Sequence, residues 1–547
     1  MGVQLEKAGR LLGISLFLFL VYGVFRLYFQ PDALEVKELK SDEVEIAWLH
    51  GASGSSDWEN LVRSECLFGL HSNPWVRKLS FVTDSGTFPQ QSASIPSFQI
   101  VHPESTTRVV LRWYKITSET GHDYWIKKLL GRKRGPSIIL GGSTSSDAMA
   151  LAGTLAEQTA GMADIQKPVL IFTTASANML PYNPRGLLIP ATPEQISLMN
   201  IYPGRTFRFG FDNRTMCDDL IQVLWGRREL RPHQNGMQMV VWEDDAYARD
   251  FVGEFWQSMA RRFAFGKAQP WFLFHDHYLA RVVPFLLSVS GNGAGSDLSE
   301  NFGVQNLPTT QIIDSSVGTR NQPNRFESSI LRFLIADFEK GPSGGQRLLV
   351  LGGQAGPSRR VLREFNTLRP DLAHGMVVVA GDSLSMDMFY RDRGVNWPVS
   401  ELPYRVLFFN HADPVSMEAG FLPLTDTQAE SQPFRSGSTD ELVLDSQILQ
   451  SLAMALLHPD QVNNGTVEVL RSLRWNENSL SFEKGSTFFD IHGNRRSGTG
   501  ECVGLLTPPL DGKIGQIDLW TMRYQQNVPE PVMVPLKSLP LMAGGGR

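Results

Sequence analysis

Along this chain, short unbroken apolar runs alternate with stretches whose apolar positions recur every three or four residues, and clusters rich in glycine and hydroxyl residues separate them. Short runs bounded by turn residues predict buried strands, and longer periodic stretches predict amphipathic helices. The series opens at Val44 with "VEIAWLHGASGSSDWENLVRSECLFGL", which reads as strand, Gly/Ser turn and helix. "TRVVLRWYKI" (107–116) and "PSIILGG" (136–142) supply two strands, with the helix end "YWIKKLLG" between them. "KPVLIFTTASA" (167–177), "TFRFGF" (206–211), the helical "DDLIQVLWG" and "MQMVVWEDDAYARDFVGEFWQSMARRF" (237–263) continue it. "PTTQIID", "RLLVLGGQAGPSRRVLREF" and "GMVVVAGDSLSMDMF" carry it to Phe389, and "STDELVLDSQILQSLAMALLH" (438–458) predicts one more helix.

Strands alternating with helices predict parallel sheets covered on both faces. Roughly eight such units exceed one comfortable sheet, so the expectation is an α/β protein of two Rossmann-like parallel-sheet lobes joined by crossover segments. The Ser-, Pro- and Gln-rich region 75–106 fits no regular unit and reads as an insertion.

The N-terminus adds a membrane. Residues 11–25, "LLGISLFLFLVYGVF", follow Lys7 and Arg10 and extend as an apolar segment to Phe29. This pattern predicts an uncleaved transmembrane anchor at 11–29 with the rest of the chain extracytoplasmic; a cleaved signal peptide is the alternative. The remaining composition narrows the class. Over 547 residues, 42% hydrophobic and 20% charged with a net charge of −5, the chain reads as globular, and no basic stripe points to nucleic acid. Cys66, Cys217 and Cys502 are too far apart for a metal motif or a disulfide framework. Asn213-Arg214-Thr215 and Asn464-Gly465-Thr466 match the glycosylation triplet, which is frequent by chance.

Ligands of open α/β sheets bind outside the carboxyl ends of the strands. Those ends read "GASGSS" (51–56), "GGSTSS" (141–146), "TTASAN" (173–178), "EDDAY" (243–247), "GGQAG" (352–356) and "GDSLS" (381–385). Four consecutive hydroxyls, Ser143 to Ser146, at a helix start suit either an over-furnished cap or a pocket for an anionic group. Enzyme signatures are weak. "GNGAGS" (291–296) lacks phosphate-loop spacing, His275 and His277 alone make a poor metal site, and adjacent Asp244 and Asp245 point apart on a strand end. No GxSxG elbow is present, so no enzyme activity, cofactor or metal is expected.

In order and spacing, "GPSIILGGSTSSDAMALAGTLAEQ", "KPVLIFTTASANML" and "VVWEDDAYARDFVGEFW", followed by "LLVLGGQAGPSRRVLREF", "VVAGDSLS" and "FFDIHGN", resemble the units of type I periplasmic binding proteins across residues 44–520. That family includes the binding proteins of branched-chain amino-acid importers and related receptor domains. The resemblance implies a ligand held between closing lobes. Its carboxylate would meet Ser143, Thr144, Ser145, Ala175 and Ser176, with Tyr247 as the aromatic cover and Asp382 as the partner of an ammonium group. Ala248 stands where the family usually has glycine.

The implied division is 1–30 cytoplasmic tip and anchor, 31–43 tether, 44–235 and 402–455 first lobe, 236–401 and 456–520 second lobe, and 521–547 flexible tail. The expected partners are a small amino-acid-like molecule, the membrane, and a transporter permease or sensor. A ligand-free envelope scaffold of the same fold that binds a protein partner is the alternative.

Overall fold

The computed structural model describes residues 36–51, 55–70, 73–83, 94–181, 195–230, 237–241, 245–264, 331–339 except 333 and 337, 346–384, 403–412, 439–458, 465–476, 481–482, 485–508, 515–523 and 532–540. Two seven-stranded sheets form its framework. In spatial order, the first contains Ser80–Thr83, Ser97–Val101, Arg108–Ile116, Glu43–Gly51, Ile138–Gly141, Val169–Phe172 and Thr206–Arg208. The last five run parallel, and the first two add an antiparallel edge.

Part of the expected insertion is therefore regular structure. In "SFQIV", Phe98 and Ile100 face the core while Ser97 and Gln99 face outward, the period of two that defines a half-buried edge strand.

The second sheet contains Met237–Val241, Leu348–Gly352, Val377–Val379 and Arg405–Asn410 in parallel, then Cys502–Thr507, Gln516–Arg523 and Val532–Pro540 antiparallel. Parallel-dominated mixed sheets with helices on their faces are what the alternating pattern predicts.

Alternation within the strands sets both faces of the first sheet. Ile46, Trp48 and Trp113 pack against the helices Ser55–Arg63 and Thr439–Leu457 through Trp58, Leu61, Ile448 and Leu452. Ala47, Leu49 and Tyr114 face the helices His122–Leu130 and Ser145–Gln158 through Trp125 and Leu151. The strand Glu43–Gly51 carries a fully buried charge at Glu45, which accepts from Arg112 at 3.0 Å and from the Tyr114 hydroxyl at 2.6 Å, and pairs with Arg132. Burial of a carboxylate requires that degree of pairing.

The division between lobes differs from the expected one. The helix Asn213–Gly226 and the strand Arg405–Asn410, both assigned to the first lobe, belong to the second, where Met216, Leu220, Phe408 and Phe409 share one core with Val350 and Val378. The described residues between 456 and 489, assigned to the second lobe, pack in the first through Leu470, Trp475 and Phe488. The expected tail supplies a strand: Val532–Pro540 pairs with Gln516–Arg523. An apolar run shows that a segment is buried, not which sheet buries it. The chain thus passes between lobes at residues 209–212, again between Phe409 and Ala412, and a third time between Asp490 and Glu501.

Among the described residues, no helix is long and apolar enough to cross a membrane. The anchor predicted at 11–29 lies outside the described residues, as do "PTTQIID", Asp244, His275, His277, "GNGAGS" and Asn464. None of Cys66, Cys217 and Cys502 is in a disulfide. Asn213 is fully buried, which rules out a glycan there.

Candidate functional site

The strand Ile138–Gly141 delivers the chain to the carboxyl edge of the first sheet, and Gly142 turns it there with φ +69°. A Cβ at Gly142 would meet the Ala148 Cβ and the Phe172 ring at 2.8 Å, so only glycine lets the next helix approach this closely. Thr144 caps that helix, its side chain accepting from the Asp147 N–H at 3.2 Å. Ser145 Oγ accepts from the Ala177 N–H at 3.1 Å, and Thr174 Oγ1 donates to the Ser143 carbonyl at 2.9 Å. The two hydroxyl-rich loops are thus laced into one rigid platform at a helix N-terminus, where partial positive charge favours an anion.

The second lobe supplies the facing wall. Asp245 caps the helix Ala246–Ala264, accepting from the Tyr247 N–H at 3.0 Å and from Gln354 Nε2 at 2.9 Å. Burial raises the Asp245 carboxyl above the usual range. Tyr247 stacks on Phe251 with ring centroids 5.7 Å apart and points its hydroxyl at the Ala380 carbonyl, 3.4 Å away. Burial, then the Asp382 carboxylate beside it, holds the Tyr247 phenol well above its ordinary pKa, so it stays a neutral donor.

Asp382 follows the strand Val377–Val379 on a turn made by Gly381, φ +59°. Its Oδ2 lies 2.9 Å from His411 Nε2. The other ring nitrogen, Nδ1, accepts from the Phe211 N–H at 2.9 Å, so the proton sits on Nε2 and faces Asp382.

Between these walls lies a cavity of about 170 Å³. Ser143, Thr144, Ser145, Ser176, Tyr247 and Asp382 all line it. Ala175 does not; it is buried, and its N–H is spent on the Gly142 carbonyl at 3.1 Å. Thr174, Gln354, Ser383, Phe409, His411, Glu441 and Leu444 complete the lining. Gln354 and Ser383 stand in the strand-end loops "GGQAG" and "GDSLS", and His411 follows the apolar run "VLFFN", so the strand-end rule could have found them. Glu441 opens a helix behind a long polar stretch and carries no such signal.

Two buried arginines stand beside this cavity, one within the first lobe and one at the passages between the lobes. Arg208 donates to the Ser176 and Ala177 carbonyls at 3.1 and 2.9 Å. Arg495 joins the three passages between lobes: its Nη1 donates to the Phe209 and His411 carbonyls, and Nε and Nη2 bond Thr499. The Arg495 guanidinium lies 4.3 Å over the Phe211 ring. Burial lowers its pKa to about 9, while burial raises that of its neighbour Glu501.

No family model and no curated protein matches the sequence. Solved structures do match. A leucine-binding protein from Thermotoga maritima is 12% identical with a TM-score of 0.46, covering 87% of this chain and 97% of that one. A solute-binding protein of an ABC transporter from R. palustris, in complex with 4-hydroxybenzoate, is 10% identical with a TM-score of 0.46 and covers 91% and 97%. An ABC transporter substrate-binding protein from Desulfitobacterium hafniense is 13% identical with a TM-score of 0.44 and covers 86% and 98%. At these identities and TM-scores neither a family nor a ligand for this chain follows from the likeness. What bears on the binding-protein resemblance at the level of residues is the cavity itself, six of whose lining residues are those the resemblance implied.

Proposed function

We propose that this chain is a membrane-anchored, extracytoplasmic solute-binding protein that recognises a small, amino-acid-like ligand by closure of its two lobes, for transport or sensing. The observation that carries the reading is the cavity between the lobes. It sets a hydroxyl-rich helix N-terminus from one lobe opposite Asp382 and Tyr247 from the other. A carboxylate suits the first wall and an ammonium group the second, through charge-assisted hydrogen bonds. A ligand touching both walls favours the closed arrangement, because only there are all its bonds made. The anchor at residues 11–29 rests on the sequence pattern.

Thermal unfolding against amino acids, amides, short-chain acids and 4-hydroxybenzoate tests the reading, since a ligand of the folded state raises the midpoint by mass action. Stabilisation by amino acids alone supports it. Stabilisation by simple carboxylates as strongly as by amino acids removes the role given to Asp382. The absence of any shift, in protein refolded from denaturant to strip carried ligand, overturns the reading. It would favour the envelope scaffold, for which the internal bonds of Thr144 and Ser145 already speak.

A further inference from the structure

Resting on the anchor in the solute-binding reading, we infer that the amino edge of the first sheet is a docking face for anionic phospholipid headgroups beside that anchor. The strands Glu43–Gly51, Arg108–Ile116 and Ile138–Gly141 run parallel and all start at this edge. The end of the expected tether is fastened along it. Arg132 Nη1 and Arg112 Nη1 donate to the Lys37 carbonyl at 3.1 and 3.2 Å. Arg134 donates to the Lys40, Ser41 and Glu43 carbonyls at 2.8, 3.3 and 3.1 Å. The basic loop "GRKRG" (131–135) thus straps residues 37–43 to the lobe.

Two observations turn this edge toward a lipid surface. The first is reach. The expected anchor ends at Phe29 and these bonds first hold the chain at Lys37, so the eight residues from Gln30 to Lys37 span at most about 30 Å. The second is charge. Lys37, Lys133 and Arg134 are exposed, and none of them meets a carboxylate among the described residues. Asp42 pairs with Arg108, Glu43 with Lys40, and Glu45 with Arg112 and Arg132, which leaves Glu38 as the one unpaired acid among residues 36–45. Exposed basic side chains beside an anchor are drawn to an anionic membrane surface within a Debye length. Docking also spares the ligand site. The loop 131–135 leads into the strand Ile138–Gly141, and Ser143 to Ser145 leave from that strand's other end, so the cavity lies at the opposite edge, clear of the lipid.

The test places the full chain in nanodiscs of phosphatidylcholine alone, or of equal parts phosphatidylcholine and phosphatidylglycerol, and follows hydrogen exchange at residues 36–42 and 131–135. In the anionic discs these amides should exchange roughly fivefold more slowly, the scale of one basic side chain near such a surface, and salt at about 1 M should remove most of the difference. Lys37→Glu combined with Lys133→Glu should abolish it at an unchanged melting midpoint, since neither side chain bonds another described residue. Equal exchange in the two lipids overturns the docking face and leaves the anchor standing, with an acidic protein surface as the other occupant of the patch. A lipid dependence that survives the double substitution overturns it as well. A chain that does not enter the discs overturns the anchor and the docking face together.

Discussion

Asp250, in the second lobe, accepts the backbone N–H of Asn178, in the first, at 2.7 Å. The same carboxyl accepts from the Met179 N–H at 2.9 Å and from Asn213 Nδ2 at 2.8 Å, so one side chain fastens the seam between the lobes. Any movement of the helix Ala246–Ala264 away from residues 178–179 breaks two of these bonds.

This seam should be sensitive to pH. Burial pushes the Asp250 carboxyl up to about 7, outweighing the three donors that pull it down, and Glu254 on the same helix pushes in the same direction. Cys217 on the helix Asn213–Gly226 and Arg208 from the first sheet complete its titratable surroundings. A carboxyl with a raised pKa favours the folded state in its protonated form. Its contribution is therefore full below about 4, is lost as pH rises through about 7, and changes little above that. The melting midpoint should fall between pH 5 and pH 8, and Asp250→Asn should flatten that fall. A variant with the same pH profile as the unaltered protein would remove Asp250 as its source.

Substitution at Gly381 should displace the aromatic cover. A Cβ there would lie 2.5 Å from the Tyr247 hydroxyl and 2.9 Å from the Phe251 ring, on a backbone with φ +59°. Strain plus overpacking should cost Gly381→Ala about 2–4 kcal/mol in urea unfolding and weaken any ligand that Tyr247 covers. A fully stable variant with unchanged binding would contradict the placement of Tyr247.

His411 holds two partners from different parts of the chain, the Phe211 N–H and Asp382. In His411→Ala a buried donor loses its acceptor, which costs about 1–3 kcal/mol, and Asp382 loses the group that orients it. Stability and ligand affinity should fall together. Loss of stability with unaltered affinity would show that Asp382 needs no orienting partner.

Arg495→Met should be the most damaging of these changes. It removes the donors to Phe209, His411 and Thr499 and leaves Glu501 buried beside an apolar side chain. Leaving the buried Phe209, His411 and Thr499 carbonyls without their donor costs about 1–3 kcal/mol each. Denaturant unfolding followed by tryptophan fluorescence should show a lower midpoint, and a midpoint within error of the original would mean that the three passages hold together without the guanidinium group.

How much of this was legible depended on whether a local pattern carried the answer. Runs such as "IIL", "VLIF" and "VVV" are buried on both faces, so they announced parallel strands, and the strand-end rule then placed Ser143, Ser176 and Asp382 on one cavity. Partnership between distant segments left no local mark. "RVLFFN" would read the same in either sheet, and the helix Thr439–Leu457 shows an apolar pattern without showing which lobe it covers. "VMVPLKSLP" fell within the expected tail; Pro535 and Pro540 lack N–H groups, but an edge strand tolerates them, and the register shift beside Leu519 and Trp520 takes up the irregularity opposite Pro535. Ala175 failed for another reason, since a small residue in a small-residue loop does not reveal that its N–H is already used.

The three passages between lobes also fix the order in which this molecule can become itself during synthesis. The last parallel strand of the first sheet ends at Arg208, yet the helix that covers one face of that sheet ends only at Leu457. At typical elongation rates, on the order of ten to fifty seconds separate the two events. Through that interval the tryptophan-lined face of Trp48 and Trp113 has no helix Thr439–Leu457 to cover it. The nascent chain therefore needs a temporary cover, from a chaperone or from its own unfinished second lobe, before its permanent one arrives.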